Sequence, residues 1–210
     1  MLDLGTGTPT SSFKDYGVAM QAEFVRYFAD DNLTILTVTS GDTGPAVAKA
    51  FAANGIRTIV VFDERNISDV QRRQMTTVPN VIAIGAQDDF SHLYNVANQV
   101  GTDPLIRGRV LSANSRNIGR LLGQIPYHIY GYSGVADGNS AILSIPLGNG
   151  GNFVSAEMAR RMGMSAPWLI AATNANDVFR RFVETLHYEP KQTVHTLSNA
   201  MDISDIGNMP

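Results

Sequence analysis

Lys14 stands in Ser12-Phe13-Lys14-Asp15, between a glycine- and threonine-rich stretch and a segment with helical periodicity. A lysine held beside apolar groups or a second cation has a depressed pKa and can bond to a carbonyl cofactor; a lone lysine is otherwise a solvated charge. The run Gly148-Asn149-Gly150-Gly151-Asn152 follows a strand-like segment and precedes a helical one. Its glycines let the backbone approach a ligand, and N–H groups at a helix start favour a phosphate, although an ordinary tight turn has the same composition. It is no Walker loop, because no Lys-Ser/Thr follows, and Phe153 fills the last glycine position of the dinucleotide fingerprint.

Ser40-Gly41-Asp42-Thr43-Gly44 is built similarly, with hydroxyl donors and glycines at a helix N-terminus. Such a loop can hold a carboxylate or simply cap the helix, and Asp42 is awkward beside an anion. Asn117 and Arg120, three residues apart, share one helix face, with Asn114 and Ser115 just before them. Arginine and amide donors converging on one point suit a dianionic phosphate, while a surface arginine explains any single case as readily. The four histidines, His92, His128, His187 and His195, lack paired metal-ligand spacing, and with no cysteine in the chain no metal site is expected. The pairs Arg72-Arg73, Arg160-Arg161 and Arg180-Arg181 read as edges of solvated helix faces.

These residues need a scaffold, and the composition supplies one. The chain has 210 residues, 44% hydrophobic and 17% charged, which suits a globular protein and excludes disordered or collagen-like classes. A net charge of −3 provides no global field for nucleic acid or an anionic membrane. No apolar run approaches a membrane span, and the N-terminus lacks a signal-peptide pattern, so a cytoplasmic protein is expected.

Strand and helix patterns alternate throughout. Helices are predicted over 16–29 (Val18, Ala22, Val25 and Phe28 inward, ended by Asp30-Asp31-Asn32), from Pro45 to Asn54-Gly55, and over 68–75, opened by a Ser68-to-Gln71 capping box. Further helices are predicted over 90–100, 118–130 (strained at Pro126), 153–162 and 177–185. Strands are predicted over 33–39, 58–62, 81–84, 110–113, 141–145 and 168–173. Regular alternation implies βαβ crossovers, hence a three-layer α/β fold with a mostly parallel sheet and helices on both faces. Ligands in such sheets sit beyond the carboxyl ends of the strands, where all three unusual loops fall.

Taken in order, these segments resemble threonine synthases, pyridoxal-phosphate (PLP) enzymes of fold type II, the tryptophan-synthase-β-like fold. Pro9-Thr10-Ser11-Ser12-Phe13-Lys14-Asp15 resembles the lysine motif, and Thr39-Ser40-Gly41-Asp42-Thr43-Gly44 the T-S-G-D-T-G loop. Ser68 to Thr77 is similar to a family-characteristic segment, and Asn114-Ser115-x-Asn117-x-x-Arg120 with Gln124 follows N-S-x-N-x-x-R-x-x-x-Q. Gly148 to Asn152 resembles G-N-F-G-N. Ala172-Thr173-Asn174 with Asn176-Asp177-Val178, and Thr196-Leu197-Ser198 with Ala200 to Ser204, resemble two further segments.

The resemblance implies that Lys14 bonds to PLP and then moves protons among the substrate's carbons. It implies that Gly148, Asn149, Gly150, Gly151 and Asn152 cup the cofactor phosphate, with Asp42 near the ring oxygen. Ser40 and Thr43 would bind the substrate carboxylate, and Asn114, Ser115, Asn117 and Arg120 the phosphate of O-phosphohomoserine, which is lost from the γ carbon before water adds at the β carbon to give threonine. Family members are about twice this length, so residues 1–210 are expected to be the central part of a catalytic domain lacking an N-terminal segment and a C-terminal half. Impaired activity, and self-association or pairing with a complementary chain, would follow. Gly150 stands where the family has Phe, Asn199 where it has Pro, and Gly207 where Ser is common. A serine/threonine dehydratase of the same fold and a non-catalytic PLP- or partner-binding remnant are the other readings.

Overall fold

The computed structural model describes residues 1–29, 32–88, 90–136, 140–203 and 205–209. Two compact units divide the chain, one reaching Arg120 and the other beginning at Leu121. Ser204 of the last motif, and Asp30 and Asp31 after the first helix, lie outside the described residues.

In the first unit, α1 (Lys14–Phe28), β1 (Thr34–Thr39), α2 (Thr43–Ala53), β2 (Arg57–Asp63), α3 (Asp69–Thr76), β3 (Val81–Ala86), α4 (Phe90–Thr102) and β4 (Val110–Ser112) follow the alternation read from the sequence. The strands pair in parallel in the order β3-β2-β1-β4. Ile35, Val60 and Phe62 point into a core built with α1, α2 and α3, including Val18, Ala22, Val47, Phe51 and Met75. The alternate residues Leu36, Ile59 and Val61 line a cleft under Val96 and Val100 of α4, so helices cover both faces. Three of the four residues expected on the inner face of α1 are buried. The fourth, Phe28, is exposed and packs edge-on to Tyr27 at the helix end, ring centroids 4.8 Å apart.

Chain order carries the sheet from β1 outward to β2 and β3, then back across to β4 on the other side of β1. That reversal makes the carboxyl ends of β1 and β4 the switch point where α/β sheets place their ligands. The loops 40–42 and 113–117 leave from those two ends.

The helix expected over 118–130 is two helices, α5 (Ile118–Leu122) and α6 (Ile125–Ala136). The break relieves the strain expected at Pro126, which instead occupies the first turn of α6, where a missing N–H costs nothing. The second unit continues with β5 (Leu143–Pro146), α7 (Gly151–Arg161), β6 (Leu169–Ala172) and α8 (Val178–Thr185). Here β5 and β6 pair in parallel across α7, over a core of Ile125, Ala159, Met164 and Ala166. The parallel strands therefore form two sheets, one per unit.

Candidate active site

The lysine motif is held by its own acid. Asp15, buried in the first turn of α1, accepts from the Thr10 N–H and the Thr10 hydroxyl, both at 2.8 Å, and so pins the loop that presents Lys14. Lys14 Nζ lies 4.7 Å from the Phe13 ring centroid and donates to Asp42 Oδ2 at 3.2 Å. Burial holds the ammonium below the ordinary lysine range, with Arg120 adding to the effect, while Asp42 and Asp15 oppose it.

Asp42 occupies the N-cap position of α2 yet caps nothing. Its carboxylate turns instead to Lys14 and to Gln71 Nε2, which donates to Oδ1 at 2.6 Å. Burial pushes Asp42 up, but the Lys14 charge and the bonds from Gln71 and Lys14 outweigh it and hold the carboxyl below its usual range. The awkwardness of an acid in this loop disappears, because its partner is a cation. Ser40 and Thr43 are half-buried on either side of it.

At the end of β4 the side chains build their own loop. Asn114 Oδ1 accepts from the Thr37 hydroxyl at 2.6 Å and the Val38 N–H at 3.0 Å, tying the loop to β1. Asn117 donates from Nδ2 to the Ser112 carbonyl and accepts from the Gly119 N–H, both at 2.9 Å, which caps α5. Arg120 is 1% exposed and donates from Nη1 to the Ala113 carbonyl at 3.1 Å, so it is a buried cation rather than a surface arginine. The first unit thus brings Lys14, Asp42 and Arg120 into one electrostatic cluster, with Ser115 half-buried in the adjoining loop.

The glycine loop belongs to the second unit. α7 begins at Gly151, two residues earlier than its apolar pattern suggests, so the loop's last residues are the helix's first turn. Gly150 has φ +80°, and no side chain caps the helix N–H groups. A Cβ on Gly148 would come within 3.1 Å of Met201 Cα, and one on Gly150 within 3.1 Å of Ile206 Cγ2. Close approach favours glycine at both, and at Gly150 the left-handed backbone favours it as well. The stretch 206–208 closes over the loop, with the Gly207 N–H donating to Asn149 Oδ1 and Asn208 Nδ2 to the Asn149 carbonyl.

Behind this loop lies a buried network that motif reading missed. His128 Nε2 is 3.1 Å from both the Asn152 carbonyl and Ser155 Oγ, and the Tyr127 hydroxyl donates to Asn152 Oδ1 at 2.7 Å. A carbonyl only accepts, so the ring carries its proton on Nε2. Burial pushes His128 down to about 4, against the bonds to Asn152. Unfolded, the ring titrates near the ordinary value of 6.5, so the unfolded chain takes up this proton first. The stability His128 contributes as a neutral ring is complete above that value and is lost as pH falls toward 4. The loss should reach about 3 kcal/mol across the window. Denaturant titrations at stepped pH should show it as a steeper fall in midpoint for the native sequence than for His128→Gln.

The family profile described as "Pyridoxal-phosphate dependent enzyme" matches residues 4–210. The threonine synthase of Buchnera aphidicola subsp. Baizongia pistaciae is 37% identical over 211 residues, covering 96% of this chain and 49% of that protein. The crystal structure of threonine synthase from Escherichia coli superposes with a TM-score of 0.89 at 34% identity, covering 96% of this chain and 49% of that one. PLP-bound threonine synthase from Brucella melitensis gives 0.85 at 30% identity, covering 99% and 47%. The chain spans about half the length of the curated relatives it matches. The expected fold type is the observed one: a parallel α/β sheet flanked by helices, shared with these PLP-dependent structures. The profile match across nearly the whole sequence, and the shared fold, establish that this chain belongs to the pyridoxal-phosphate dependent enzyme family.

Proposed function

We propose that this chain holds PLP at Lys14 and carries the catalytic centre of a threonine synthase, converting O-phosphohomoserine and water to threonine and phosphate. The observation that carries the reading is the Lys14–Asp42 pair at the switch point, with the buried Arg120 cation acting on the same amine. The residues fit the cofactor: an amine pushed toward its neutral form suits an aldehyde, and the N–H groups at the start of α7 are capped by no side chain. Bound PLP supplies an electron sink that stabilises negative charge on the substrate's carbon skeleton.

Lys14 bonds to the cofactor and then carries protons to and from the substrate's carbons, a role that needs a pKa nearer neutrality than that of a free lysine. Asp42 orients that amine and would face the ring oxygen of bound PLP. The N–H groups of Gly151 and Asn152 at the start of α7, with the Gly148–Gly150 backbone, receive the cofactor phosphate. Ser40 and Thr43 offer hydroxyl and N–H donors to the substrate carboxylate. Asn114 and Asn117 fix the loop that brings Ser115 and Arg120 to the substrate phosphate.

Arg120 separates this reading from a dehydratase, whose substrate has no phosphate to hold. Arg120→Met keeps the buried volume and removes the charge. O-phosphohomoserine affinity, read from the change it induces in cofactor absorbance, should fall about 10- to 100-fold, with a smaller change in PLP affinity. Equal losses for both ligands would assign Arg120 to the cofactor or the fold.

A further inference from the structure

We infer that Gln71 is a positioning residue for the reactive lysine: its side-chain amide links the N-terminus of α3 to Asp42 and fixes the carboxylate that addresses Lys14.

The geometry uses both ends of one amide. Gln71 Oε1 accepts from the Ser68 N–H at 3.1 Å and the Ser68 hydroxyl at 3.0 Å, while the Gln71 N–H donates to Ser68 Oγ at 3.3 Å. These bonds form the reciprocal capping box that starts α3. The amide nitrogen points the other way and donates to Asp42 Oδ1 at 2.6 Å. A capping box requires only the oxygen, and glutamate serves as well as glutamine there. At this position glutamate would set a second carboxylate against Asp42 and remove the donor. The choice of glutamine is therefore explained by Asp42 and not by the helix.

Asp42 has two oxygens and two directional partners, Gln71 on Oδ1 and Lys14 on Oδ2. Its side chain is 33% exposed, and without Gln71 it would be free to rotate toward solvent. Gln71 is buried and its oxygen is held by the Ser68 backbone N–H, which an alanine at that position would keep, so the donor is preorganised. The charged group facing Asp42 is Lys14, from α1; Arg120 and Asp15 act on Lys14 in turn.

The inference rests on Lys14 being the cofactor lysine for its consequence, but its test needs no cofactor. The Asp42 carboxyl is titrated by carbon NMR in the apo protein, assigned with Asp42→Asn, alongside the thermal midpoint. Ser68→Ala weakens the cap and keeps the Gln71–Asp42 bond; it should lower the midpoint and leave the Asp42 titration in place. Gln71→Met removes the donor and should raise the Asp42 titration by about one pH unit, the equivalent of a lost charge-assisted hydrogen bond. Gln71→Glu retains the cap and should raise it further, and it gives the same reading if Gln71→Met fails to fold. An Asp42 titration unmoved by both Gln71 variants, or moved equally by Ser68→Ala, would overturn the inference and leave Gln71 a helix cap. Failure of PLP to attach at Lys14 in the native sequence would refute the functional reading instead, without touching the titration result.

Discussion

Lys14→Ala should abolish the visible absorption band of lysine-bound pyridoxal and lower any turnover by about 10²–10⁴-fold or more, the ordinary contribution of a positioned acid–base group. The fold should survive. Asp42 retains its bond to Gln71 and its partial exposure, so the loss of Lys14 does not strand an unpaired charge in a dry interior. Residual PLP binding should be non-covalent and reversible on gel filtration. The N–H groups at the start of α7 are untouched by the substitution and, in the proposed reading, would still hold the cofactor phosphate. Lys14→Arg should behave in the same way despite keeping the charge, because a guanidinium stays protonated and does not add to an aldehyde.

Gly44→Ala should be the most destabilising single-methyl change in the first unit, by about 2–3 kcal/mol net. The new Cβ would lie 2.3 Å from Met75 Sδ, 2.6 Å from Thr39 Cγ2 and 3.0 Å from Val60 Cγ1. Met75 is fully buried and has little room to retreat. Thr39 cannot rotate away without cost, since its hydroxyl accepts from the Gly41 N–H at 3.0 Å and donates to the Gly41 carbonyl at 2.8 Å. Alanine's better helix propensity offsets only about 1 kcal/mol of this. The Thr39–Gly41 turn leads directly into Asp42, so the displaced threonine should also loosen the Lys14 pair. Equilibrium denaturation of the variant gives the stability change, and its Lys14 labelling rate at fixed pH gives the effect on the site.

Local physics made much of this legible in advance. The Ser68-to-Gln71 capping box forms with both reciprocal bonds, because every partner lies within four residues. Pro45 falls in the first turn of α2, where its missing N–H is harmless. The alternation of strands and helices predicted a parallel sheet, and every observed strand pair is parallel. Pro126 was a signal of a break as much as of strain: the chain restarts its helix there rather than bending it.

What stayed hidden depends on long-range contacts. Asp42 read as an N-cap or an anion-binding misfit because Lys14 and Gln71, 28 and 29 residues away, supply its partners only after folding. That Asn114 also anchors its loop, through its oxygen accepting from Thr37 and Val38, was not legible, since these approach it only through the pairing of β1 with β4. Arg120 carries nothing in its neighbours that announces burial. The His128 network gives no motif at all, since Tyr127, Asn152 and Ser155 meet only when α6 packs near the start of α7.

Of the three lysines of the chain, Lys14 is the one proposed to hold the cofactor. Lys49 donates to the Pro9 carbonyl at 2.8 Å on an exposed surface, and Lys191 is exposed. Lys14, by contrast, lies 4.7 Å from the Phe13 ring centroid and donates to Asp42 at the end of β1. Incubating the chain with PLP, reducing with borohydride and mapping the modified peptide by mass spectrometry decides between them. A single pyridoxyl group is expected on Lys14, in stoichiometric yield and absent from Lys14→Ala; the same label on Lys49 or Lys191, with Lys14 unmodified, would contradict the proposed role of Lys14.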